Sequence, residues 1–144
     1  MSPLVDHLLS GALAIAAYAV LGMILLIIGF YAIDLATPGK LSAVIKHERN
    51  PNATLLASSG LAAVGLIVAA SIWSSGGALH EGLLATAVFG LVGIAVQTVA
   101  MLVFDLVAGI SVRELVKQSD LQPGARLLAV THLAIGLITA VAVI

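Results

Sequence analysis

Residues 8–33 read LLSGALAIAAYAVLGMILLIIGFYAI, without one charged side chain. As a helix the run to Asp34 is about 39 Å long, enough to cross a hydrocarbon core of roughly 30 Å. In lipid only a helix satisfies its own backbone, and isolated strands would leave open edges. The stretch that follows, DLATPGKLSAVIKHERN (34–50), carries Lys40, Lys46 and Arg49. Three more runs continue the pattern. Asn50–Leu79 and Gly82–Phe104 are uncharged, and Leu127–Ile144 contains only His132. The expected fold is all-α, a polytopic membrane protein of four transmembrane helices forming a single membrane domain over residues 1–144.

Composition agrees. The chain has 144 residues, 61% of them hydrophobic and 9% charged, with a mean hydropathy of +1.20. A soluble domain carries about 25% charged residues, so lipid must be the solvent for most of this surface. A net charge of −1 offers no basic field for nucleic acid. No cysteine is present, which excludes disulfides, thiolate catalysis and Cys-ligated metals. Asp6 and His7, with no Lys or Arg, precede the first run, so it reads as a retained helix rather than a cleavable signal.

All Lys and Arg side chains fall in two places: Lys40, Lys46 and Arg49 after the first span, and Arg113, Lys117 and Arg126 around the connection of the third to the fourth. The positive-inside rule puts both basic loops in the cytoplasm and both termini outside, N-out/C-out.

Shifting the chain by 71 residues superposes its halves. Gly11, Leu13, Ala14 and Ala16 fall on Gly82, Leu84, Ala85 and Ala87. Gly22 falls on Gly93, Asp34-Leu35 on Asp105-Leu106, Lys46 on Lys117, and Gly65-Leu66-Ile67 on Gly136-Leu137-Ile138. We read two tandem, parallel helical-hairpin repeats, 8–75 and 79–144. Each holds an even number of spans, so the expected symmetry axis runs along the membrane normal. Leu41, Val44 and Ile45, and again Val112, Leu115 and Val116, give each loop an apolar face at helical spacing. Two readings fit: short amphipathic helices on the inner leaflet, or helical turns extending the spans. Ser111-x-x-Glu114 has the form of a capping box.

Asp34-Leu-x-Thr37-Pro38-Gly39, a basic amphipathic stretch, then Asn52-Ala53 opening a Gly/Ala-rich span resembles the bacterial membrane proteins grouped as domain of unknown function 350, the YjfL type. The resemblance covers essentially the whole chain. The second half keeps Asp105-Leu106 but has Ala108-Gly109 for Thr-Pro, with Pro123-Gly124-Ala125 near the Asn-Ala position. The resemblance implies paired-helix repeats and the bacterial inner (cytoplasmic) membrane. It implies no biochemical activity.

Asp34 and Asp105 are the first functional candidates, because an acid in a membrane segment is expensive. Both runs are long enough to place them at the cytoplasmic headgroups. There they serve as anchors or ion pairs with Lys46, Lys117, Arg49 or Arg126, against the sharper alternative of proton or cation handling. A second group, Ser58, Ser59, Gln97, Thr98, Thr131 and His132, falls in one layer of the inner half, about 12 Å deeper than the acids. Interhelical polar glue is the plain reading and a hydrated proton path the sharper one. Leu26 and Leu61 stand at the repeat positions of Gln97 and His132, so the layer is asymmetric. Asp6, His7, His80 and Glu81 fall at the outer surface and read as solvated boundary residues rather than a metal site. The sequence implies no metal or other cofactor.

No nucleophile stands beside a base, so an enzyme is the weakest class. The leading expectation is a non-enzymatic membrane component acting through assembly, as a homo-oligomer or as an accessory subunit of a larger membrane complex. The alternative is a small channel or proton/cation pathway using Asp34 and Asp105. A pathway needs continuous polar lining, and the outer halves of these spans are almost wholly apolar.

Overall fold

The computed structural model describes residues 2–37 and 39–144; Pro38, part of the Thr-Pro-Gly motif, lies outside the described residues. The helices are α1 (Pro3–Ala36), α2 (Leu41–Glu48), α3 (Pro51–Ser74), α4 (Leu79–Ala108), α5 (Val112–Leu115) and α6 (Pro123–Val143). The order long, short, long occurs twice. Four helices, α1, α3, α4 and α6, are long and apolar enough to cross a membrane.

Helix starts follow from local chemistry. Pro3, Pro51 and Pro123 each open a long helix, where a missing N–H costs nothing. Asn50 caps α3 by accepting the Ala53 N–H (3.0 Å). Glu81 accepts the Ala78 N–H (3.3 Å) at the start of α4. At the other end of α4, Gly109 takes φ +65° and stops the helix.

α3 is the central helix. Twelve of its 24 residues are buried, against Leu25, Gly29 and Ile33 alone among the 34 of α1. It packs on α6, α4 and α1. Hydrocarbon supplies no hydrophobic drive between helices, so close van der Waals contact must hold them. Glycine provides it. A Cβ on Gly136 of α6 would stand 2.6 Å from the Ala63 Cα of α3, so the two backbones touch there. Between α1 and α3 the fit is reciprocal: Val64 fills the space over Gly29, and Ile33 the space over Gly60. The large apolar side chains left exposed on α1 and α4, such as Leu13, Ile15, Leu84 and Val99, face what lipid would cover.

The loop helices overturn one of the two sequence readings: α2 and α5 are separate from the spans and are not turns that extend them. Leu41 is buried (1% exposed), and Val44 and Ile45 pack against the same core. In the second loop Val116 is buried and Val112 packs beside it. Both apolar faces are turned onto the bundle, with Val44, Ile45, Val112 and Leu115 half-buried. Amphipathicity marks an apolar neighbour without saying whether it is lipid or protein.

Candidate functional site

Asp34 and Asp105 both lie in the last turn of a helix, and neither last turn carries a basic residue. A carboxylate at a helix C-terminus meets the negative end of the dipole, a cost of about 0.3–1 kcal/mol near the surface. Each acid needs compensation, and the two find it differently.

Asp34 accepts the Ser42 N–H (3.1 Å). Ser42 is in the first turn of α2, whose N-cap position holds Lys40 with no side-chain cap and a left-handed backbone, φ +51°. A lysine side chain cannot accept a hydrogen bond, so Asp34 supplies the cap from the neighbouring helix. In the second half Ser111 occupies the N-cap of α5 and accepts the Glu114 N–H itself (3.3 Å). Glu114 completes no box; it holds Lys117 instead, at 2.8 Å. The bond to that ammonium sets the Glu114 carboxyl below its ordinary range.

Asp105 is therefore free to turn inward. Its Oδ1 lies 3.5 Å from His132 Nε2 on α6, with side-chain exposures of 19% and 3%. The expected Lys and Arg partners do not reach either acid: among the described residues the Lys or Arg ion pair is Lys117–Glu114. Nor is His132 out of reach of Asp105. Counting residues places side chains at the level of their Cα atoms, but Cα–Cβ bonds lean toward the helix N-terminus. α4 and α6 are antiparallel, so Asp105 leans away from the loop end and His132 leans toward it. The two meet across the interval that counting leaves empty.

Gln97 joins from above. Its Nε2 donates to the His132 carbonyl (2.9 Å), and the side chain is 1% exposed. The other layer candidates stay within their own helices. Ser59 donates to the Leu56 carbonyl, Thr98 to Ile94 and Thr131 to Leu127, while Ser58 is exposed. Lys40, Lys46, Arg49, Arg113 and Arg126 are all exposed at the loop end.

One polar cluster escaped the sequence reading. Asn50 Nδ2 donates to the carbonyls of Val116 (2.7 Å) and Gln118 (2.9 Å). Asn52 Nδ2 shares its protons among Leu115, Gln118 and Asp120 (3.1, 3.2 and 2.9 Å), and its Oδ1 accepts the Gln122 N–H (2.8 Å). Both asparagines are buried. They clasp the α5–α6 connection to the start of α3. The available signal was two amides flanking Pro51 at a helix start, more side-chain amide than one cap requires.

A smaller polar group lies toward the opposite end. Tyr18 Oη is 3.3 Å from Ser75 Oγ, and Thr86, fully buried, donates to the Ser71 carbonyl (3.4 Å). From Thr86 to Gln97 is about 16 Å of helix, filled by Leu25, Val64, Ile67 and Ile94 of the core. No group of three or more His, Asp or Glu side chains is gathered to hold a metal ion among the described residues.

The family model described as Domain of Unknown Function (DUF350) matches residues 7–143. A "UPF0719 transmembrane protein" of Mycolicibacterium paratuberculosis is 39% identical over 138 residues, covering 96% of this chain and 91% of that one. Proteins of the same description from Mycobacterium bovis and Mycobacterium tuberculosis are each 33% identical over 135 residues, covering 94% of this chain and 89% of theirs. No solved structure matches.

Proposed function

The chain belongs to the DUF350 family of multi-pass membrane proteins, and on that premise we propose that it is a non-enzymatic component acting through assembly, as a homo-oligomer or as an accessory subunit of a larger membrane complex. It resides in the bacterial inner membrane, N-out/C-out, as two parallel duplicated hairpins. The observation that carries this reading is α1. It is about 50 Å long, yet three of its residues are buried, and its outer half exposes Gly11, Ala12 and Ala16. Gly11 has open space where a Cβ would stand. Small residues at such spacing let another helix approach closely.

Native mass spectrometry of the gently extracted particle, with copurifying proteins identified, tests it. A closed homo-oligomer or a stoichiometric complex supports assembly; a monomer across the full range of protein-to-detergent ratios overturns it.

A second reading, a small channel or proton/cation pathway through Asp34 and Asp105, draws support from the Asp105–His132 pair. Against it, Asp34 is engaged with Ser42, and an apolar core separates Gln97 from the polar group at the opposite end. A conducting path would have to run between copies. Proton or cation flux in liposomes that is lost in folded Asp34→Asn/Asp105→Asn protein would favour it over assembly alone.

A further inference from the structure

Four buried polar atoms at one end of the bundle have no hydrogen-bond partner among the described residues: Gln97 Oε1, Asp105 Oδ1 and both ring nitrogens of His132. Unpaired buried polar groups are costly, and a cluster of them calls for a proton, a water or an ion. Asp105 and His132 border a small enclosed cavity of about 20 Å³, room for one water. Thr37, at the end of α1, lines it too. Its hydroxyl donates to the Ile33 carbonyl (2.9 Å), which leaves a lone pair for a donor in the cavity. On its other side Asp105, with Ala36, Leu102 and Val112, borders a surface pocket of about 380 Å³ that reaches Arg113. Ala36, Leu102, Asp105 and Val112 line both spaces, and Asp105 is the titratable group among them.

We propose that Asp105 and His132 form a proton-binding site that is loaded only from the end of the bundle carrying the basic loops. The ligand is one proton, relayed through Asp105 and held between carboxylate and imidazole, with the small cavity seating a water beside them. The charge balance favours a proton over a metal cation. A carboxylate facing a neutral imidazole buries one negative charge; taking up a proton yields an ion pair with no net charge. A metal cation would find only one carboxylate and one imidazole, since no group of three or more His, Asp or Glu side chains is gathered among the described residues.

The surroundings fix what else acts on the pair. α3 carries no ionisable side chain. α1 brings Asp34, occupied with Ser42, and α6 brings Arg126, exposed in its first turn. α5 brings Arg113 on the surface pocket and Glu114, held by Lys117. Beyond Gln97 the apolar core blocks onward transfer. A proton that enters must leave by the way it came, so the site reports the pH of one side and conducts nothing through a single copy.

The test is nitrogen NMR of histidine-labelled full-length protein in lipid nanodiscs, with the His132 signal assigned by His132→Gln. The His132 ring is expected to gain a proton as pH falls. Asp105→Asn displaces its response to pH, and Asp34→Asn leaves it in place. A superimposable curve in Asp105→Asn overturns the site. If that variant does not fold, wild-type protein decides: a His132 ring unchanged over the range where imidazoles ordinarily titrate overturns it. So does a signal that responds to sodium at constant pH as it does to protons, which would mark a cation site.

Discussion

The two halves of the molecule use equivalent positions for unlike ends. In the first, Lys40 cannot cap α2, so Asp34 is spent as its cap. In the second, Ser111 stands 71 residues after Lys40 and caps α5 itself, and Asp105 is released toward the core. In the first half, Leu26 and Leu61 line one apolar surface groove. Their counterparts, Gln97 and His132, are buried and joined by a hydrogen bond. Lys for Ser and Leu for His separate a structural acid from an acid with a titratable partner.

The comparison can be broken most forcefully at the clasp, whose side chains belong to the first half alone. Asn52→Leu removes the donor of the Leu115 and Asp120 carbonyls and the acceptor of the Gln122 N–H. It should cost about 3 kcal/mol in reversible unfolding from mixed micelles. Leu121→Asn, 71 residues after Asn50, should stay within about 0.5 kcal/mol. Equal losses would erase the asymmetry. The next largest effect is the coupling of Asp105 to His132. A double-mutant cycle to alanine should return about 1.5 kcal/mol, near the upper end for interhelical polar pairs. The same cycle on Asp34 and Leu61 should return nothing beyond error. Asp34→Ala should cost about 1 kcal/mol and raise hydrogen exchange at the Ser42 amide, while Asp34→Asn, which keeps an acceptor, should be nearly silent. If Asp105→Ala raised exchange at Glu114 to the same degree, the two acids would share a role after all. The smallest effect concerns the backbone. Arg49 holds φ +50°, and Arg49→Gly should stabilise by about 0.5 kcal/mol, since glycine reaches that region without a Cβ clash.

Much of this architecture was legible beforehand. Charges expelled from lipid partition the chain so sharply that four helices and their basic loops follow from counting. Gln97 and His132 were recognisable as buried polar groups on neighbouring helices for the same reason. The meeting of Asp105 with His132 was not, because counting ignores the lean of side chains along antiparallel helices. Asp34's role was hidden as well, since a cap supplied from another helix leaves no local signature. The clasp was missed because Asn52 reads as a family-motif residue until the loop it holds is in place.

That clasp has a consequence for how freely the molecule can vary. Every bond that Asn50 and Asn52 make to the α5–α6 connection is to main chain, at residues 115, 116, 118, 120 and 122. The side chains of Lys117, Gln118, Ser119, Asp120 and Leu121 remain exposed. The loop is held by its shape and not by its spelling. Its outer face can be rewritten by evolution or by design while the backbone beneath keeps its course, which makes it the cheapest surface on which to change what this protein meets.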